Sequence, residues 1–277
     1  MPAGESPLCA SGHAADDKHE FRVGDSGTPT AIIANQILFY MLEHLPISVS
    51  VAFVLVTLLT FVLFRRIVSQ AVTPRTRQLV NTITWTMLVW LSVQGVVSYS
   101  GVYSNNLDAL PPRIFLFGVL PALIVIMATF VTPSGRQFVD SLDLFQVTSL
   151  HTIRILVELI LWWLFLETAV PEVMTFEGRN LDIIAGLTAP IVAWLGVRKN
   201  MLTRSTMIIW NFICLGLLFN IVIIAVLAVP SPLQKLAFDQ PNKAVLYFPF
   251  SWLPAFVVPA VLFCHLVAIR QLLRGTK

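Results

Sequence analysis

The segment His151-Thr-Ile-Arg154-Ile-Leu-Val-Glu158 sets a base, a permanent cation and an acid at offsets of three and seven residues. At about 100° per residue these positions return to one face of a helix. They lie inside the apolar run Ser149–Val170. A charged side chain in hydrocarbon costs roughly 2.5–3.5 kcal/mol on insertion scales, so such residues face protein or water and carry function. The chemistry open to this stripe is the handling of protons and charge. Glu158 would be a titrating carboxyl or general acid, Arg154 an anion partner or counter-charge, and His151 a relay group that changes charge near neutrality. Arg154 and Glu158 stand at i, i+4 and can pair along the helix, and a self-satisfied pair needs no substrate.

Further residues join this pathway. His265, in the last apolar run, falls at the same level as His151. Asn211 and Asn220 are nine residues apart and face opposite ways, so only one of them can point at a shared site, and Asn211 is the candidate. Two histidines fall short of the three or four ligands zinc requires. Cys9, Cys214 and Cys264 form no Cys-x-x-Cys, and no metal site or cofactor is indicated. A second polar group lies in two links. One contains Glu167, Glu172, Glu177, Arg179, Asn180 and Asp182, and the other Asp239, Asn242 and Lys243. Five carboxylates (Glu167, Glu172, Glu177, Asp182 and Asp239) would form an acidic mouth that attracts cations, or supplies a general acid through Glu177 or Asp239. The plain reading is a capped loop, with Asp182 as N-cap of the following helix.

The elements that position these groups are apolar helices. The chain has 277 residues, 56% hydrophobic and 12% charged, with mean hydropathy +0.79; a soluble chain carries about 25% charged residues. Seven runs approach the ~20 residues that span a bilayer: Ile47–Phe64, Leu79–Tyr99, Ile114–Val131, Ser149–Val170, Ile183–Val197, Thr206–Val229 and Phe248–Leu273. The fold class is therefore all-α, a polytopic membrane protein of seven transmembrane helices with one or two interfacial helices. Residues 1–28 read as a disordered polar tail and 29–277 as a single transmembrane domain. The N-terminus lacks the apolar core of a signal peptide, so the first run acts as the anchor. Ala31–Leu45 and Arg136–Val147 are amphipathic and suit the interface. Pro121, Pro190, Pro249, Pro254 and Pro259 punctuate the runs, and each frees a carbonyl that a neighbour or water must satisfy.

Cations are unevenly distributed. Arg65, Arg66, Arg75 and Arg77 follow the first run, Arg198, Lys199 and Arg204 the fifth, and Arg274 and Lys277 the last, whereas the three opposite links share Arg113, Arg179, Lys235 and Lys243. Positive-inside then places the C-terminus in the cytoplasm and the N-terminus outside. The net charge of +3 gives no reason to expect nucleic acid as a partner. The partners read here are the bilayer and a small-molecule or lipid ligand, with oligomeric state unread. No Gly-x-Ser-x-Gly, His-Glu-x-x-His or Walker loop occurs, and no lysine in the last run could carry retinal. The stretches MTFEGRNLDIIAGLTAP (Met174–Pro190) and AFDQPNKAVLYFPFSWLP (Ala237–Pro254), with HTIRILVEL, resemble an uncharacterised family of bacterial multi-pass inner-membrane proteins. That resemblance implies a bacterial inner-membrane location and carries no activity or catalytic residue. Three functions follow from the residues: small-solute or proton-linked transport or binding through the stripe, an intramembrane enzyme acting on a lipid or isoprenoid by acid/base chemistry, or a sensor or assembly partner. The absence of an internal repeat weighs against transport, and the absence of a nucleophile or metal motif against hydrolysis.

Overall fold

The computed structural model describes residues 45–275, and among these every regular element is helical. The expected polar tail 1–28 and nearly all of the amphipathic segment Ala31–Leu45 lie outside the described residues. The helices are α1 (Ile47–Ser69), the short α2 (Pro74–Gln78), α3 (Val80–Tyr99), α4 (Phe115–Val131), α5 (Pro133–Asp140), α6 (Leu144–Leu166), α7 (Asp182–Val192, prolonged by a π-helical turn Ala193–Arg198), α8 (Arg204–Ala228) and α9 (Leu253–Arg274). Five of them, α1, α3, α6, α8 and α9, are long and apolar enough to cross a membrane, and a sixth is added if α4 and α5 count as one broken span. Helix α9 is the most enclosed and α3 the least. Around α9 pack α8, the first turns of α6, α5 and α4, while α1 lies against α6 and α3.

Local chemistry sets the boundaries. Thr132 and Thr203 cap α5 and α8 by accepting from Gly135 N at 3.2 Å and Thr206 N at 3.1 Å. Pro133 occupies the first turn of α5, which turns 89° away from α4. The amphipathic segment expected over Arg136–Val147 is split: its first half belongs to α5, and Leu144 onward forms the start of α6. Asp143 causes the break by capping Phe145 N at 3.2 Å, and the buried Leu144 and Val147 then continue inward.

Two proline-freed carbonyls find donors on α3. Pro121 cannot serve the carbonyl of Phe117, which instead accepts from Gln94 Nε2 at 3.0 Å. Pro259 leaves the carbonyl of Ala255 in the same position, and it accepts from Trp90 Nε1 at 2.9 Å. Both carbonyls lie in π-helical turns, Phe115–Val119 and Leu253–Val257. The exposed α3 is thus fastened to the bundle by side-chain donors.

The links sort into two faces. On one, Val72 N donates to Ser141 O at 2.8 Å, Arg270 and Arg274 bind Asp140, Gln271 Nε2 donates to Val139 O and Leu142 O, and Arg204 donates to Leu273 O. On the other, Lys243 N and Ala244 N donate to Ala169 O, Gln240 Nε2 bridges the carbonyls of Phe165 and Val170, and Asn220 Nδ2 reaches Arg179 O. The first face carries most of the described cations.

Helices α6 and α7 run antiparallel in close contact because Gly186 faces α6. A Cβ there would stand 2.8 Å from Ile155 N and from Ile155 Cγ1. We expect Gly186→Val to destabilise the protein by about 1–3 kcal/mol or more through overpacking, read as a lowered thermal midpoint of the purified protein. Gly216→Ala, with nothing within 4 Å of the added carbon, should leave it unchanged or raised.

Candidate functional site

Arg154, two turns into the buried length of α6, is 2% exposed and spends its guanidinium on three helices. Its Nε donates to Asp182 Oδ2 at 2.5 Å, and Nη2 pairs with Asp182 Oδ1, completing a two-pronged ion pair with the first residue of α7. Nη2 also donates to Cys214 O on α8 at 3.2 Å, and Nη1 meets His265 Nε2 on α9 at 3.0 Å. Since guanidinium only donates, Nε2 of His265 is the acceptor and its proton sits on Nδ1. That tautomer fits the next contact. Asn211 Nδ2 donates to Met207 O at 2.9 Å, which turns Asn211 Oδ1 toward His265 Nδ1, 3.0 Å away.

Glu158 lies one turn beyond Arg154, is 1% exposed, and does not form the expected intrahelical pair, because all of the Arg154 nitrogens are directed elsewhere. Both its oxygens accept from Asn180 Nδ2, at 2.6 and 2.7 Å. Asn180 also donates to Met174 O at 3.0 Å, and its Oδ1 accepts from Asp182 N at 3.1 Å. Asn180, and not Asp182, therefore caps the start of α7. Asp182 sits inside the helix and turns its carboxylate to Arg154. The N-terminus of α7, where partial positive charge collects, lies beside both carboxylates.

This geometry requires the link after α6 to come back into the bundle. From Leu166 to the level of Glu158 is about 12 Å at 1.5 Å per residue. Val170, Pro171, Met174, Thr175 and Asn180 are buried along the descent. The fifth run is short because it begins at depth.

His151 lies in a single 3-10 turn, Leu150–Thr152, within α6. Its ring stacks on His265 with centroids 3.7 Å apart and 20° between planes, and Trp210 stands edge-on at 5.9 Å. It is fully buried, and neither ring nitrogen has a hydrogen-bond partner among the described residues. His151, Arg154, Glu158, His265 and Asn211 thus meet in one cluster, joined by Asn180 and Asp182. Asn220 faces outward, as the spacing requires.

Of the five carboxylates expected at an acidic mouth, Asp182 is turned into the bundle. Glu172, Glu177 and Asp239 are exposed, Glu167 is half-buried, and the side-chain carboxylates of these four have no hydrogen bond or ion pair among the described residues. Arg179 is exposed. Asn242 is buried, with Nδ2 donating to Ala225 O at 3.3 Å and its backbone N–H to Ala228 O, so it closes the end of α8. On the same face Tyr103 donates to Gln94 Oε1 at 2.5 Å, and burial pushes its phenol up to about 12. Among the described residues no group of three His, Cys, Asp or Glu could hold a metal ion.

A family model matches residues 111–273, more than half of the chain and the whole of this cluster. The chain belongs to the family described as "Domain of unknown function (DUF8737)". No curated protein and no solved structure matches it. Helices α1 and α3, with Trp90 and Gln94, lie outside the matched segment.

The cluster predicts which second mutation rescues the loss of Arg154. Arg154→Met leaves Asp182 buried without its partner, and breaking a buried pair costs roughly 3–5 kcal/mol. We expect Arg154→Met/Asp182→Leu to recover most of that stability and Arg154→Met/Glu158→Leu to recover little, measured by thermal or denaturant unfolding. Equal rescue by both would contradict the pairing.

Proposed function

We propose that this chain is a seven-span integral protein of a bacterial inner membrane, and that its buried cluster binds a proton at Glu158 in the transport or binding of a small solute. One observation carries the proton-linked reading. Within the cluster Arg154 and Asp182 cancel, and Glu158 is left as a carboxyl held by an amide instead of a cation. A buried charge without a counter-charge is costly, and taking up a proton removes it. The broken elements around it support a solute pathway. Link 167–181 re-enters the bundle, α7 starts at depth with its N-terminus toward the carboxylates, and a 3-10 turn interrupts α6 at His151. Half-helices of this kind build the binding sites of transporters, and mid-helix 3-10 turns mark hinges.

The two-faced sorting of the links supports seven crossings, since alternate links then share a face. Helix α4 and the 182–198 segment, each roughly 25 Å long at 1.5 Å per residue, are the two short spans. The arginine-bearing face is cytoplasmic by positive-inside, which puts the C-terminus inside and the N-terminus outside. No observation favours the enzyme reading: Glu177 and Asp239 are exposed, and nothing joins them to Glu158.

Two measurements test this. A reporter fused after Arg274 should be cytoplasmic, and one placed within Glu172–Asn180 external; the reverse result overturns the orientation. In reconstituted vesicles, difference infrared spectra taken across pH should contain a protonated-carboxyl band that disappears in Glu158→Gln and survives in Asp182→Asn. A band insensitive to Glu158→Gln removes the proton-binding role. In the same vesicles under an imposed pH gradient, solute-dependent proton movement by the wild type should fall in Glu158→Gln to the leak of protein-free vesicles.

A further inference from the structure

A groove of about 500 Å³ opens between α4 and α9, away from the buried cluster. Its walls are Ile126, Met127 and Phe130 on α4 and Leu266, Ile269 and Leu273 on α9. Arg270 and Arg274 close one end of it, on the cation-rich face. Both arginines bind Asp140 of α5: Arg270 through Nε at 2.8 Å and Nη2 at 3.0 Å, Arg274 through Nη1 at 2.5 Å. Two cations share one carboxylate, so the rim keeps one unit of positive charge. Arg270 Nη1 and Arg274 Nε and Nη2 have no hydrogen bond among the described residues, which leaves donors for a further anion.

We infer that this groove binds one anionic phospholipid, an acyl chain lying between α4 and α9 and the phosphate at Arg270 and Arg274. This rests on the membrane reading above. Along α9 the apolar wall starts at Leu266, about 6 Å from Arg270 and about 12 Å from Arg274 at 1.5 Å per residue. It lies directly beneath the charged rim, the arrangement of one molecule with an apolar tail and an anionic head. A free phosphate would use the rim and leave the wall bare. A zwitterionic head would bring its own cation against the surplus positive charge. Basic pockets between helices on the cytoplasmic side select anionic lipids for this reason. Met127 and Leu273 are 64% and 58% exposed, so the groove opens sideways, where a lipid enters.

The test is native mass spectrometry of the full chain released from vesicles of equal phosphatidylglycerol and phosphatidylcholine. The wild type should retain one phosphatidylglycerol in several-fold preference to phosphatidylcholine, and added inorganic phosphate should not displace it. Arg274→Gln should lower that preference several-fold, and Asp140→Asn, which removes the rim's carboxylate, should raise it. Met127→Trp, on the exposed wall, should reduce retention without disturbing the rim. If Asp140→Asn and Arg274→Gln lower retention alike, the trio is only a structural clamp and the inference fails. Retention without headgroup preference, or displacement by phosphate, overturns it equally, as does a Met127→Trp variant that changes oligomeric mass while lipid retention stays put. A chain absent from the vesicle fraction would refute the membrane reading instead, so the two failures are distinguishable.

Discussion

The ion pair between Arg154 and Asp182 is the constraint on which the surrounding architecture depends. An arginine in the middle of an apolar helix needs an anion at its own depth, and α6 does not offer one in the right direction. Asp182 meets that need only if the chain after α6 descends about 12 Å before the next helix begins. From this follow the buried polar link, the shortness of α7, and the bare face at Gly186 that lets α7 lie against the backbone of Ile155. The pair also draws in α8 and α9 through Cys214 O and His265. Four helices thus converge on one guanidinium. Its planar fork of fixed donors suits that task better than the single point charge of a lysine.

The second organising feature is the supply of donors to carbonyls that prolines leave without an N–H. Pro121 and Pro259 leave the carbonyls of Phe117 and Ala255 without a helical donor, and Gln94 and Trp90 supply one. Helix α3 has little burial of its own, so these bonds, with the reciprocal one from Trp252 Nε1 to Leu91 O at 3.0 Å, fix where it docks. The prolines and the docking of α3 are one device.

Much of this could be read in the sequence and some could not, for physical reasons. Helical periodicity places His151, Arg154 and Glu158 on one face, and the 180° between Asn211 and Asn220 leaves one of them inward. The partner of Arg154 could not be found that way. The i+4 carboxylate is the nearest in sequence, but burial rewards a partner that completes the fork, and Asp182 does so from another helix. Asp182, Asn180 and Asn242 read as loop residues because a polar link normally stays in water, and nothing local signals re-entry. One clue was present: the run Ile183–Val197 is too short to cross with ease and begins against an acid. Gln94 and Trp90 reached no site reading, since a lone glutamine and a tryptophan in an apolar helix gain meaning only beside the prolines they serve. The acidic mouth loses Asp182 for the opposite reason. It assumed that neighbours in sequence share a surface, whereas Asp182 points inward while Glu172 and Glu177 point out.

The same arrangement is why the proposed function assigns the proton to Glu158. Arg154 is neutralised by Asp182 and saturated by its other acceptors, so it is a fixed structural cation. His265 is locked into one tautomer between Arg154 and Asn211, which spends its acceptor and its donor. Glu158 alone accepts everything it is offered and cancels nothing. The helix N-terminus and the Asn180 amide favour its charged form, while burial favours its neutral one. The element beside it, the descending link 167–181, is tied to α6 through Asn180 and through Phe176, whose ring stacks on Trp162 with centroids 6.0 Å apart. Protonating Glu158 removes the charge that Asn180 donates to and so weakens the tie between that link and α6. Movement of the link alters the same hydrogen bond from the other side. In the proposed proton-linked reading, this amide is the contact through which proton binding at Glu158 and the position of the link would be coupled.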